Sequence, residues 1–543
     1  MSVEHTVLLP SLGSWQPSAD EPFFDEQSIA QHVQRVRQPL YIVQDQNTGH
    51  VGVTHEGTVS GSDTGVGVVG ILPPLYPEWL GSRAFCEAHR VRFAYVAGAM
   101  ANGIATADMV IAMAESGMLA FFGAAGLSFH TVERELRRLC DTLGTGDEDV
   151  AWGANLINSP QEPQLERRVA ELYVKQGVRR VSASAYMKLS EPIVHYAYHG
   201  VHEDEQGNIV RPNHVFAKIS RTETATHFLS PAPKAMIDAL VERGALTSEE
   251  GRLAALLPVA EDIIVESDSG GHTDNRPMTA LLPDIQQLAR QCAQRFSYTR
   301  PVRVGVAGGI GTPTAAAAAF ATGADFILTG SINQSAVESG LSMQGREMLA
   351  LAGLADVIMA PAADMFELGV EVQVLKRGTM FGPRAKKLHE LYHTYPSLDA
   401  IPAVERERLE KRVLGAKIED IWSETLAFWT KRDPEEAQRA RNDPRRQMAL
   451  VFRWYLGKAS KWAIDGEPGR ALDYQIWCGP AMGSFNTWVK GSFLEEPSQR
   501  KVVQLALNVL EGAAQITRAH QARSYGLQVP PEAFDYRPRP LSV

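Results

Sequence analysis

Residues 302–331 read VRVGVAGGIGTPTAAAAAFATGADFILTGS. A short apolar run ends at Gly308 and Gly309. Thr312 then stands as a helix N-cap with Pro313 at the first helical position, an alanine-rich helix is expected over 312–322, and a second apolar run ends at Gly330 and Ser331. Strand, helix and strand in so short a span form a βαβ unit, which places its two strands parallel in one sheet.

The alternation extends toward the N-terminus. RFAYVAGAM (92–100), MLAFFGAAG (118–126), VAWGANLINS (150–159), VRRVSASAYM (178–187), HVFAKISR (214–221) and DIIVESDSGG (262–271) are strand-like. Amphipathic helices separate them, as in PQLERRVAELYVKQG (163–177) and around 278–295. Eight such units in roughly 240 residues match a (β/α)8 TIM barrel of about 250 residues. An open doubly wound sheet needs no eighth strand. The expected architecture is an α/β barrel over residues 91–335, a β-rich N-terminal segment over 1–90 and a helical C-terminal region over 336–543. Two insertions are expected: a hairpin segment at about 190–214, turning near Gln206 to Asn208, and a mostly helical segment at 222–258 that follows a strand end and is a candidate lid.

Composition narrows the function classes. A chain of 543 residues with 44% hydrophobic and 21% charged residues is globular and exceeds one ordinary core. A formal charge of −10 argues against nucleic-acid or membrane-surface binding. Cys86, Cys140, Cys292 and Cys478 stand far apart without metal spacing, the pattern of a reducing compartment. Glu4 and Pro10 interrupt the N-terminal apolar run, so no signal peptide is expected, and Asn102, Asp108 and Glu115 interrupt the apolar stretch 95–127, so neither is a membrane span. A cytoplasmic protein is the expectation. His195, His199, His202 and His214 lie across the hairpin segment without HExxH spacing, and no metal is expected. Six of the nine tryptophans lie beyond residue 420, which points to a packed core or a homodimer interface in the helical region. The glycine-rich stretch THEGTVSGSDTGVGVVG (54–70) has no Walker lysine and reads as part of the β-rich lead-in.

In a TIM barrel the chemistry sits at the strand C-termini. VESDSGGHTDNRP (265–277) ends a strand in two glycines and a histidine, so Gly270 and Gly271 are expected to let backbone approach a flat ligand, with His272 at the rim. Gly308, Gly309, Gly330 and Ser331 end the last two strands, where such barrels bind phosphate through backbone N–H groups and a helix N-terminus.

These motifs, with GANLINSP (153–160), resemble in order and spacing the FMN-dependent barrels of the nitronate monooxygenase and FabK-type enoyl reductase superfamily. VESDSGGHTDNRP, its continuation NRPMTALLP and the C-terminal QIWCGPAMGSFNTWVKGSFLE (475–495) are similar to the PfaD group, trans-acting enoyl reductases of polyunsaturated fatty acid synthases and trans-acyltransferase polyketide synthases. The resemblance implies that Gly98, Ala99, Met100 and Asn155 line the flavin and Lys218 faces its electron-rich edge. It further implies that Glu266 and Gly271 contact the ring, that Gly308, Gly309, Gly330 and Ser331 hold the FMN phosphate, and that His272 is the catalytic residue beside the flavin. His272 would either hydrogen-bond the developing enolate or deliver the proton. NADPH or NADH would be the reductant, using the same flavin face as the enoyl thioester, because no strand–GxGxxG–helix unit is present. An acyl carrier protein would present the substrate, with Lys376, Arg377, Arg384, Lys386 and Lys387 or Arg445, Arg446, Arg453, Lys458 and Lys461 as the basic docking face. A nitronate monooxygenase and a non-catalytic synthase subunit are the alternatives.

Overall fold

The computed structural model describes residues 8–18, 21–61, 65–145, 150–159 and 162–542. Glu4 of the N-terminal reading, residues 62–64 of the glycine-rich stretch and Pro160 of GANLINSP lie outside the described residues.

An antiparallel sheet comes first, from β1 (Ser14–Gln16), β2 (Leu40–Asp45), β3 (Val51–Thr54), β4 (Thr58–Ser60) and β5 (Val66–Leu72), in the order β3-β2-β5-β1-β4. Eight parallel strands then close a barrel: β6 (Tyr95–Ala97), β7 (Leu119–Phe122), β8 (Gly153–Ile157), β9 (Arg180–Ser184), β12 (His214–Ile219), β13 (Asp262–Glu266), β15 (Arg303–Ala307) and β16 (Ile327–Thr329). Between them fall β10 (His202–Glu203) and β11 (Ile209–Val210), which form a hairpin, and the two-residue β14 (Gly271–His272). Strand periodicity sorts the side chains. Val96, Leu119, Phe121, Phe216, Ile264, Phe326 and Leu328 fill the barrel interior over Phe85, while Tyr95, Ala97, Ala120 and Phe122 alternate with them and pack under the outer helices. Thr312 caps its helix as expected, accepting from Ala315 N–H, and Thr106 and Ser128 cap theirs in the same way, accepting from the N–H of Met109 and Thr131.

Three expectations require correction. The segment 190–214 contains the barrel helix Glu191–Tyr198, whose Ile193, Val194, Tyr196, Ala197 and Tyr198 are buried; only β10 and β11, turning through Asp204 to Asn208, are hairpin. Within 222–258, Thr222–Leu229 is the barrel helix after β12, and of this whole segment only Thr224 reaches the strand-end cavity. Helices Lys234–Glu242 and Ser248–Ala254 pack on Glu191–Tyr198 along the outer wall, and the chain returns through Ala260, whose N–H donates to Phe228, into the start of β13. They are therefore placed to buttress the wall and not to cover the mouth.

The third concerns the boundary at 335. Helix Val502–Ser524 lies between Pro313–Ala321 and Ala107–Glu115, the position of the eighth barrel helix. A Cβ on its Gly512 would fall 2.6 Å from Pro313 Cγ, so the absent side chain sets the close approach. The chain between β16 and residue 502 is one long insertion in the last βα unit. It is not all helical: β17 (Val357–Pro361) and β18 (Glu371–Leu375) form a hairpin whose β18 pairs with β14. It has its own core, including Phe381, Leu388, Leu414, Phe452 and Tyr455, with Trp422, Trp454, Trp462 and Trp477 packed against it. No helix among the described residues is long and apolar enough to cross a membrane.

Candidate active site

The barrel strands open at their C-terminal ends into a cavity of about 500 Å³. All twelve residues singled out from sequence line it: Gly98, Ala99 and Met100 after β6, Asn155 on β8, Lys218 on β12, Glu266 on β13, Gly271 and His272 on β14, Gly308 and Gly309 after β15, and Gly330 and Ser331 after β16. Left-handed backbone places three of them, with φ of +85° at Gly271, +88° at Gly308 and +71° at Gly309. A Cβ added to Gly309 or to Gly330 would meet no atom within 4 Å, so these glycines border open space. Ser331 Oγ accepts a 3.0 Å hydrogen bond from Gly479 N. Asn155 donates its amide to Ser182 O at 2.9 Å and Ser184 Oγ at 3.1 Å, and Tyr173 OH donates to its carbonyl at 2.6 Å. Ala185, a non-glycine at φ +62°, stores backbone strain on the cavity wall.

The charged groups at the strand ends are paired. Lys218 Nζ lies 2.6 Å from Glu266 Oε1, which also accepts from Ser269 Oγ at 2.8 Å. Arg221 grips Asp274 through Nε at 2.9 Å and Nη2 at 2.8 Å, and Ser220 Oγ donates to it at 2.6 Å. The Arg221 guanidinium holds the Asp274 carboxyl down to about 2. His272 is half-exposed, with Nε2 3.3 Å from Asp364 Oδ1.

Gly270 lines the cavity as well and serves a second purpose. A Cβ there would lie 2.8 Å from Cys478 N, and a Cβ on Gly479 would lie 2.8 Å from Gly270 N, so the two glycines let CGPAMG (478–483) press against the GGH loop. Gly311 is likewise set against Ala481, whose carbonyl oxygen would be 2.2 Å from its Cβ. Sequence reasoning missed the rest of the wall. Met365, Val370 and Glu371 come from the β17–β18 hairpin and Trp477, Gly479 and Ala481 from the C-terminal motif. The glycine-rich turn of CGPAMG within a helical region was the available signal; the hairpin had none.

The four histidines of the hairpin segment do not converge. His195 and His199 meet edge to face at 5.5 Å, His202 is exposed, and His214 lies in a buried group with His89 and Asp262 at the opposite barrel end. Arg303 already holds Asp262 through two hydrogen bonds of 2.6 and 2.7 Å, and Arg180 Nε approaches His89 Nδ1 at 3.4 Å, so adjacent guanidiniums oppose a further cation there. The basic docking stretches are largely neutralised. Arg377 pairs with Asp356, Arg384 with Asp473, Lys387 with Glu405, Arg446 with Glu436, Arg453 with Glu367, Lys458 with Glu424 and Lys461 with Asp465. Arg445 stacks over Tyr392, leaving Lys376 and Lys386 as the two of the ten for which the described residues show no such contact.

The fold and cavity define a TIM barrel with a strand-end ligand site completed by an insertion in its last βα unit. Two family models match: the N-terminal domain of fatty acid synthase subunit PfaD over residues 15–74, and the inserted helical domain of [acyl-carrier-protein] S-malonyltransferase over 395–474, inside the insertion. The crystal structure of the enoyl reductase domain of MlnA, from the macrolactin biosynthesis cluster of Bacillus amyloliquefaciens, matches with a TM-score of 0.78 at 36% identity, covering 82% of this chain and 100% of that one. A polyunsaturated fatty acid synthase subunit of Thraustochytrium sp. (strain ATCC 26185 / S-3) is 42% identical over 512 residues, 92% of this chain and 33% of that protein. Polyketide biosynthesis protein PksE of Bacillus subtilis (strain 168) is 40% identical over 448 residues, 82% of this chain and 58% of that protein. The chain belongs to the PfaD family. It spans 33% of the length of the first of these curated relatives.

Proposed function

We propose that the protein is an enoyl reductase that uses FMN and NADPH or NADH to reduce the 2,3 double bond of enoyl thioesters borne on an acyl carrier protein of a polyunsaturated fatty acid or polyketide synthase. The observation that carries this reading is the convergence of all twelve sequence-selected residues on one strand-end cavity in a chain of the PfaD family.

The residues present fit a flavin mononucleotide. Gly309 and Gly330 border open space at the last two strand ends, where a TIM barrel favours a phosphate, so Gly308, Gly309, Gly330 and Ser331 would hold that group. Gly98, Ala99, Met100, Asn155, Lys218, Glu266 and Gly271 would line the ring. When bound, FMN supplies hydride transfer from the nicotinamide to the β-carbon of the enoyl thioester. The chain's own residues do the remaining work. Lys218 and Glu266 form a neutral pair that brings a fixed dipole to the strand ends without net charge. Met365, Val370 and Trp477 narrow the mouth and exclude water from one side. His272, at the rim, supplies a hydrogen bond to the thioester oxygen as it gains negative charge, or a proton to the α-carbon.

An anaerobic spectrophotometric experiment tests the reading. NADPH should bleach the flavin band of the purified protein, and an enoyl thioester on acyl carrier protein should restore it with formation of saturated product. Bleaching by a nitronate but not by nicotinamide would replace the reading with a monooxygenase, and purified protein that binds no flavin when supplied with it would overturn both.

A further inference from the structure

The GGH loop does not stand on the barrel alone. β14 pairs antiparallel with β18 of the insertion, Gly271 opposite Gln373 and His272 opposite Val372, and Gln373 Nε2 donates to Asp268 Oδ1 at 2.9 Å. The turn of the same hairpin carries Asp364, whose Oδ1 lies 3.3 Å from His272 Nε2. We propose that Asp364 is the positioning residue of His272: it fixes the imidazole through Nε2–H, leaves Nδ1 toward the substrate, and stabilises the imidazolium. This rests on the enoyl reductase reading for its role in turnover.

The surroundings favour Asp364 as the partner. Arg453, the cation nearest Asp364 from the insertion helices, is taken by Glu367 at 3.3 Å. Arg221 is taken by Asp274, and Lys218 by Glu266. Among the described residues, Asp268, which accepts from Gln373 and Asn275, Glu371 on β18 and Arg276, beside Asp274, are the other charged groups around the loop. Partial desolvation opposes ionisation of Asp364, yet the His272 ring beside it keeps its carboxyl below the ordinary value, so it is a carboxylate at neutral pH. In turnover the proton would leave a ring nitrogen for the α-carbon, the N–H bond breaking as the C–H bond forms. Asp364 would stay ionised throughout, and water would reprotonate the ring.

The test is 15N NMR of histidine-labelled full-length protein at alkaline pH, with His272 identified by the signals lost in His272→Gln. The wild-type His272 ring should show the Nε2–H tautomer, held by Asp364; Asp364→Ala should mix the two tautomers, and Asp364→Glu should retain the wild-type signature. In turnover, Asp364→Ala should slow reoxidation by the enoyl thioester roughly tenfold, and Asp364→Glu should restore most of the rate. Added to His272→Ala, Asp364→Ala should cost nothing further. An unchanged tautomer signature in Asp364→Ala, or in Asp364→Ser should the first variant not fold, overturns the assignment, as does a loss that adds in full to that of His272→Ala. The NMR measurement needs no substrate, so a wild-type protein that ignores enoyl thioesters would sink the reductase reading while the ring signals still judge the pair.

Discussion

At the N-terminal end of the barrel His89 Nε2 lies 3.1 Å from Asp262 Oδ1, and at the C-terminal end His272 Nε2 lies 3.3 Å from Asp364 Oδ1. The distances are nearly equal, and the surroundings are opposite. The lower pair is fully buried. Asp262 is the first residue of β13, and the first residues of β9, β12 and β15, Arg180, His214 and Arg303, gather around it. Burial opposes the charge on Asp262, but Arg303 and His89 outweigh it and hold the carboxyl far below its usual range; burial also drives His89 and His214 toward the neutral form, more than Asp262 can offset. The upper pair is half-exposed, sits on a loop clasped by an insertion, and borders open volume. A histidine and an aspartate at hydrogen-bonding distance thus form a structural plug where guanidiniums saturate the carboxylate, and are left open to solvent and to the cavity where they do not; the proposed chemistry of His272 depends on that second setting.

Breaking the lower pair should cost the most. Asp262→Ala strands the buried Arg303 charge and should destabilise the fold by about 3–5 kcal/mol, read as a lowered midpoint in urea; a loss under about 1 kcal/mol would mean that water reaches the barrel base. At the upper end, Gly309→Asp should give colourless protein, because its carboxylate would occupy the space assigned to phosphate, and a fully yellow preparation would refute that loop. His272→Ala should keep flavin bound and slow the enoyl-dependent step about 100-fold, with stability unchanged within about 0.5 kcal/mol. Normal turnover would remove His272 from the mechanism.

The lower end should contribute most to the pH response, since His89 and His214 are fully buried whereas His55, His195 and His389, also depressed by burial, are only partly so. His89 and His214 titrate below their ordinary value in the folded protein, so the unfolded chain takes up protons near pH 6.5 that the native state refuses. Stability should therefore fall as pH drops below about 6.5, by about 1–3 kcal/mol at pH 5.5, and His214→Gln should flatten that slope by about one proton. The smallest change is expected at Arg221 and Asp274, a partly exposed pair: Arg221→Met should cost about 0.5 kcal/mol and bring acid titration of Asp274 back up from about 2. An effect on enoyl thioester KM without one on stability would instead give Arg221 a place in substrate binding.

The two ends also differ in how far the sequence reveals them. Runs such as RVGVA (303–307), capped helices and glycine strand ends are local signals, and they located all eight strands and the strand ends at 270–272, 308–309 and 330–331, whereas Gly98, Ala99, Met100, Asn155, Lys218 and Glu266 were reached only through the family resemblance. Pairing is not local. Gly271 and His272 form a strand only because β18, a hundred residues on, adds to them, and no two-residue pattern can announce that. Asp364 sits in a turn without a motif, after Ala362 and Ala363, and its relevance appears only when the hairpin folds over the loop. Helices 234–242 and 248–254 have the same amphipathic signature whether they cover a mouth or brace a wall, so sequence could not choose between the two. His89 and Asp262, 173 positions apart, meet through barrel closure alone.

The position of helix Val502–Ser524 carries a consequence for how the molecule is made. A growing chain stopped before residue 502 has eight strands but only seven of the helices that wrap them, and the apolar flank of Pro313–Ala321 faces water. Residue 502 and the helix after it must leave the ribosome before the cylinder can be sealed, so the contacts that finish it are among the longest in sequence and the slowest to form. A chain ended at residue 501 should therefore aggregate and not behave as a trimmed barrel, while the intervening insertion has its own core to fold around.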